Sequence, residues 1–179
     1  MTTARKTVLC SLFAALITVG AYIRIPVPLL PLTLQTLFVV LSGLVLGRKL
    51  GALSVCAYVF AGLIGIPVFT GSALSPTFGY IVGFIAGAWT AGYIAETMRP
   101  KFLTWFVGAL AGMAVIYAVG IPYYYVMSKY YLGNELGAKT LLVYFVLMPM
   151  PGDIAKSLAA GLIVKRLAMF FPNSFTWRR

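Results

Sequence analysis

Asp153 and Lys156 are the residues of this chain whose types and spacing could do chemistry together, three apart in Pro149-Met150-Pro151-Gly152-Asp153-Ile154-Ala155-Lys156-Ser157 within an apolar run. On a helix that spacing puts both on one face. Pro151 suits a first helical turn, where its missing N–H is not needed, and Asp153 would then sit near the positive end of the helix dipole. A carboxylate accepts hydrogen bonds and an ammonium donates them, so together they could hold a small planar polar group offering both. A charge inside an apolar span is costly and usually faces a cavity. The alternative is an internal ion pair that only joins helices.

The other ionisable residues exclude much. Against 14 Lys and Arg there are 3 acids, Glu96, Glu135 and Asp153, and no His. That removes most hydrolase triads, metal sites and carboxylate-pair mechanisms, and no enzyme is expected. Glu96 lies beside Arg99 and reads as surface charge. Cys10 and Cys56 sit in apolar runs, where thiols behave as small hydrophobes, and two cysteines make no disulfide framework. Gly83-x-x-x-Gly87 is not a phosphate loop, since no Lys-Ser or Lys-Thr follows.

The elements that must position the pair are membrane helices. Of 179 residues, 61% are hydrophobic and 9% charged, against about 25% charged in an ordinary soluble chain. The net charge of +11 does not indicate nucleic acid, because the basic residues fall in pairs between apolar runs rather than on one polar face. A span needs roughly 20 apolar residues, with tolerance for short or tilted ones. Six stretches qualify: 7–23, 32–46, 50–66, 78–98, 102–127 and a last one between 141 and 171. The second and third, separated only by Gly47-Arg48-Lys49, require a tight antiparallel hairpin. Breaks fall at Pro26, Pro28 and Pro31, from Pro67 to Gly79, at Pro100, and from Ser128 to Lys139. No linker divides the chain, so residues 1–179 are expected to form one transmembrane domain of six helices. The N-terminal basic pair and apolar run mimic a secretory signal, but a retained first helix is expected, since no clear small-x-small cleavage site follows.

Ten basic residues (Arg5, Lys6, Arg48, Lys49, Arg99, Lys101, Lys165, Arg166, Arg178, Arg179) fall on one side of these spans and three (Arg24, Lys129, Lys139) on the other. The excess predicts cytoplasmic termini, with the loops around Pro28, Gly71 and Asn134 facing outward. If the last helix starts near Leu141 the Asp–Lys pair lies at mid-membrane; if it starts at Pro151 the pair lies near the outer end. The double proline favours the second placement, or a kinked helix.

The outward loops carry few charges and much Pro, Gly and aromatic character, which suits a cover over an apolar ligand. One leads into a turn bearing Thr33, Gln35 and Thr36; the other carries Phe69, Ser75, Thr77 and Tyr80. Capping of the fourth helix is the simpler role for Thr77, and Tyr80 and Gln35 also fit an interface belt. Small residues recur as Gly43 and Gly47, Gly62 and Gly65, Gly83, Gly87 and Ala91, and Gly108 and Gly112, a pattern for close helix packing. On the first helix, Ser11 with Ala15 and Ala14 with Thr18 offer small faces on which another protein could dock.

Taken as a set, Pro28-Leu29-Leu30-Pro31-Leu32-Thr33-Leu34-Gln35-Thr36, Gly65-Ile66-Pro67-Val68-Phe69, Ser75-Pro76-Thr77-Phe78-Gly79-Tyr80-Ile81-Val82-Gly83-Phe84 and Pro151-Gly152-Asp153-Ile154-Ala155-Lys156 resemble the BioY family, the biotin-specific S components of energy-coupling factor (ECF) transporters. The resemblance implies an all-α integral membrane protein, a bundle of six transmembrane helices in the cell membrane with a biotin pocket near the outer face. It implies partners: a transmembrane coupling protein and two ATP-binding subunits, which use the ATP, while this chain has no cofactor and meets membrane lipid. In the family's proposed mechanism the S component topples to carry its pocket inward. Asp153 and Lys156 would bind biotin's cyclic urea, Gln35, Thr77 and Tyr80 would be secondary contacts or lid supports, and Phe69 would pack on the ring system or valeryl chain. Alternatives are a solitary biotin carrier and an S component for another vitamin. The chain departs from the family pattern in having Ser75 and Phe78 where Gly is usual, Ser11 and Thr18 where an alanine pair is expected, and no arginine in the fourth helix.

Overall fold

The computed structural model describes residues 2–27, 29–69, 75–134 and 136–170. Expectations attached to Pro28, Gly71, Glu135, Phe171, Arg178 and Arg179 lie outside the described residues. Helix α1 (Thr3–Tyr22) starts on Thr2, whose hydroxyl accepts from the Arg5 N–H. It ends where the chain becomes extended, as strand β1 (Arg24–Ile25), which pairs antiparallel with β2 (Leu32–Thr33), Arg24 opposite Thr33. Helices α2 (Gln35–Leu63), α3 (Phe78–Thr97) and α4 (Phe102–Tyr130) follow. The last helical stretch comprises α5 (Ala138–Leu142), a π-helical turn (Val143–Leu147) and α6 (Met150–Phe170).

Among the described residues five helices are long and apolar enough to cross a membrane, the last taken from Ala138 to Phe170. The expected second and third spans are here the single element α2, which is bent. Gly47 has φ 79° and ψ 173°, a conformation open to almost no other residue. Beyond it the chain doubles back: a Cβ built on Gly51 would lie 2.6 Å from the Gly43 Cα, and the Gln35 side chain reaches the Tyr58 hydroxyl at 2.6 Å. In a straight helix those last two residues would stand about 34 Å apart.

The bend packs against α3. Arg48 pairs with Glu96 at 3.1 Å, and the same carboxylate accepts from the Arg48 N–H at 2.8 Å. A Cβ on Gly92 would meet the Arg48 Cα at 2.6 Å, and Gly87 and Gly112 let α3 and α4 approach backbone to backbone, each Cβ site lying 2.8 Å from the other's carbonyl oxygen. Gly62 and Gly65 do not form such a face. Phe69 folds over Gly62, while Gly65 stands past the helix end at φ +94° with nothing within 4 Å.

Two other boundaries differ from expectation. Helix α4 runs through Ser128 to Tyr130, residues expected in the polar loop, because the Ser128 hydroxyl bonds the Asn134 carbonyl and several of that loop's amides return to the helix end. The last span is a kinked helix: Pro149 lacks an N–H, the π-helical turn precedes it, and its carbonyl accepts from the Asp153 N–H at 2.9 Å. The exterior is apolar, with Val8, Val19, Phe60, Leu103, Leu162 and Phe170 each more than half exposed. The buried hydroxyls of Ser42, Ser54 and Thr104 donate to nearby backbone carbonyls and that of Ser157 to the Met113 sulfur, so that none is left unpaired in an apolar surrounding.

Candidate ligand-binding site

A cavity of about 100 Å³ lies where the starts of α2 and α3 and the first turns of α6 meet Tyr117 of α4. The floor is polar. Asp153, 5% exposed, stands in the first turn of α6 as its one acid. Its Oδ1 pairs with Lys156 Nζ at 2.5 Å. Its Oδ2 accepts from the Tyr117 hydroxyl of α4. Lys156 then extends to the start of α2, donating to Thr36 Oγ1 at 2.7 Å and the Thr33 carbonyl at 3.3 Å. Three helices thus meet in one knot, which explains how a carboxylate and an ammonium persist in an apolar bundle: each charge has charge-assisted hydrogen bonds.

The walls come from α2, α3 and the segment between them. Gln35 is buried, and its amide donates to the Tyr58 hydroxyl, itself 3.5 Å from the Val68 carbonyl. Phe69 packs edge-on against Tyr58 (5.3 Å between centroids) and Phe78 (6.0 Å). Tyr80 stands edge-on to Tyr117 at 5.9 Å, its buried hydroxyl without a hydrogen-bond partner among the described residues. Thr77 occupies the N-cap position of α3 but makes no side-chain capping bond; its hydroxyl instead lies 2.8 Å from that of Ser75, and both line the cavity. Its backbone is helical rather than extended, so the side chain is poorly aimed at the N2 and N3 amides that a cap requires.

Of the residues singled out from sequence, Lys156, Gln35, Thr77, Tyr80 and Phe69 all line this one cavity. Asp153 does not itself line the cavity; its Oδ2 is hydrogen-bonded and its Oδ1 is ion-paired with Lys156. Its two oxygens offer about four acceptor positions, so capacity remains for a ligand N–H. Sequence reasoning missed Tyr117 and Tyr58, which lie mid-helix rather than in an interfacial belt. That position was a signal, since a buried tyrosine hydroxyl needs a polar partner. On α1, Ser11 and Ala15 share the exposed face, while Ala14 and Thr18 are half-buried and the Thr18 hydroxyl bonds the Ala14 carbonyl. The site places charged and hydroxyl groups around a small cavity.

Such a bundle, with helices long and apolar enough to cross a membrane and an apolar exterior, defines a membrane protein. The BioY family model matches residues 1–173, and the chain belongs to that family. It is 39% identical over 169 residues to the biotin transporter BioY of Thermotoga maritima, covering 91% of this chain and 95% of that protein. It is 36% identical over 173 residues to the probable biotin transporter BioY of Lysinibacillus sphaericus, covering 93% and 88% respectively. A crystallographically solved S-component for biotin from an ECF-type ABC transporter superposes with a TM-score of 0.79 at 26% identity, covering 94% of this chain and 95% of that one. These relatives are transport proteins, not enzymes.

Proposed function

We propose that the chain binds biotin in this cavity and is the S component of an ECF-type transporter that carries biotin across the cell membrane. The observation that carries the ligand assignment is the Asp153–Lys156 pair, held between Thr36 and Tyr117 at the cavity floor. Biotin's cyclic urea presents two N–H donors flanking one carbonyl. Lys156 donates to that carbonyl, and Asp153 accepts from an N–H with the lone pairs its present bonds leave open. Phe69 covers the ring system or valeryl chain; Gln35, Thr77 and Tyr80 are secondary contacts.

Further proposals concern placement and partners. The two arms of α2 cross the membrane separately, giving six spans with cytoplasmic termini and the pocket toward the outside, in line with the basic residues at the bend and in the α3–α4 connection. Energy comes from a transmembrane coupling protein and two ATP-binding subunits, with the small face of Ser11, Ala14, Ala15 and Thr18 as the docking surface on α1.

Equilibrium binding of biotin to the purified chain in detergent tests the ligand. Nanomolar to micromolar binding by the parent, weakened about a hundredfold or more by Asp153→Asn and abolished by Lys156→Met, is the expected result. No binding at millimolar biotin sinks the assignment. Co-purification with an ATP-hydrolysing partner tests the energised form, and failure of that arm alone leaves a solitary biotin carrier.

A further inference from the structure

Asp153 and Lys156 alone do not determine where their hydrogen bonds point. A carboxylate three residues from an ammonium on one helix face can turn both oxygens toward it, and the ammonium then leans toward the carboxylate and away from the cavity. Here Asp153 is held apart in two directions, Oδ1 toward Lys156 and Oδ2 toward Tyr117. Tyr117 comes from a different helix, is half-buried, lines the cavity and has its ring braced edge-on against Tyr80 at an interplanar angle of 82°. With one oxygen so engaged, Lys156 is free to reach Thr36 and the Thr33 carbonyl along the cavity wall.

We infer that Tyr117 is a positioning residue for ligand selection: by holding Asp153 Oδ2 it divides the carboxylate between two donors, so that Lys156 presents a donor to the cavity and Asp153 an acceptor beside it. The divided pair selects a ligand whose polar end is a carbonyl flanked by N–H groups, over one that puts a donor where the carbonyl should be. This rests on the proposed binding of a cyclic urea by the same pair, and adds the residue that orients it.

The test is a double-mutant cycle on the full chain in detergent: parent, Tyr117→Phe, Asp153→Asn and the double variant, each titrated with biotin and with 2-iminobiotin, whose guanidine carries nitrogen in place of the urea oxygen. Tyr117→Phe keeps the ring and removes one hydrogen bond to a charged group, so biotin binding weakens about tenfold, and 2-iminobiotin binding changes less. In the Asp153→Asn background the same change has little further effect, because Tyr117 acts through the carboxylate. Tyr124→Phe, at a buried α4 tyrosine that does not line the cavity, leaves both affinities within about twofold if hydroxyl loss as such is harmless.

An equal loss for both ligands, or the same loss with and without Asp153, overturns the inference while leaving biotin binding in place. A ligand-free melting temperature for Tyr117→Phe more than about 10 °C below the parent also overturns it, since the hydroxyl is then mainly structural. If the parent itself does not bind biotin, the proposed function falls first and the inference with it.

Discussion

The two ends of the bundle are held by opposite means. At the bend, backbones touch: Gly43 beside Gly51, Gly92 against Arg48, with the chain reversing at Gly47. Around the pocket glycines still seat their neighbours, Gly20 against Gln35 and Gly120 against Tyr80, but long side chains make the links across the cavity floor and wall, Lys156 to Thr36, Tyr117 to Asp153 and Gln35 to Tyr58. Apolar packing gives little net drive for association where lipid is the competitor, so close approach at one end supplies dispersion and hydrogen bonds at the other supply direction. Close approach excludes solvent and solute. Bridging leaves a cavity, and the cavity is where a ligand can replace part of the bridge.

The sharpest way to break the contrast is to insert bulk at the bend. Gly51→Val places methyl groups beyond a Cβ already 2.6 Å from the Gly43 Cα and 2.8 Å from its nitrogen. Backbone cannot give way as a flexible side chain can, so the expected cost exceeds about 4 kcal/mol. The measurable outcome is loss of monodisperse protein from detergent extracts; normal yield and an unchanged melting temperature would show that the arms of α2 are not pressed together.

At the pocket the largest effect separates ligand binding from stability. Lys156→Met strands Asp153, 5% exposed, and removing one partner of a buried pair costs about 3–5 kcal/mol. Asp153→Asn in the same chain removes the stranded charge, so the double variant should melt closer to the parent than Lys156→Met does, yet still fail to bind biotin. Recovery of binding along with stability would reduce the pair to a structural ion bridge.

These two ends were not equally readable in the amino-acid sequence. The apolar runs located most helix boundaries to within a few residues, and the glycine between Leu46 and Arg48 marked the turn, because span length and breaker residues are local properties. The Asp–Lys pair stood out because acids are so scarce. Tyr117 and Tyr58 did not stand out, since what each side chain meets depends on how helices rotate against one another, which apolar periodicity does not fix when the outer face is apolar too. Thr77 misled for a related reason: the cap residue type was present at the helix start, and its backbone angle, set by the preceding segment, turned the hydroxyl toward Ser75.

A smaller effect sharpens the contrast within the pocket. Tyr58→Phe deprives the buried Gln35 amide of its 2.6 Å partner, and an unsatisfied buried donor costs about 1–3 kcal/mol. Because Gln35 lines the wall rather than the floor, the melting temperature should fall while biotin affinity changes less than in Lys156→Met. A loss of binding equal to that of Lys156→Met would place the main ligand contact on the α2 wall.

The smallest effect is at the bend and asks what Glu96 contributes there. Its carboxylate does two things: it pairs with the Arg48 guanidinium, and it accepts from the Arg48 N–H at the turn after Gly47. The ion pair is partly exposed, with side chains 37% and 25% accessible, so solvent screening holds it to about 0–1 kcal/mol. The amide bond is different, because it satisfies a backbone donor at the start of the second α2 arm, worth about 1 kcal/mol and more if that donor is left dry. Glu96→Gln keeps an acceptor for the amide and loses the charge; Glu96→Ala loses both. The expected order of melting temperatures is parent, then Gln close below it, then Ala, with the parent–Gln gap shrinking in high salt and the Gln–Ala gap unchanged. Should Gln and Ala fall equally, and recover neither stability nor salt response, the ion pair rather than the backbone bond would hold the bend, and the two ends of the bundle would resemble each other more than their glycines suggest.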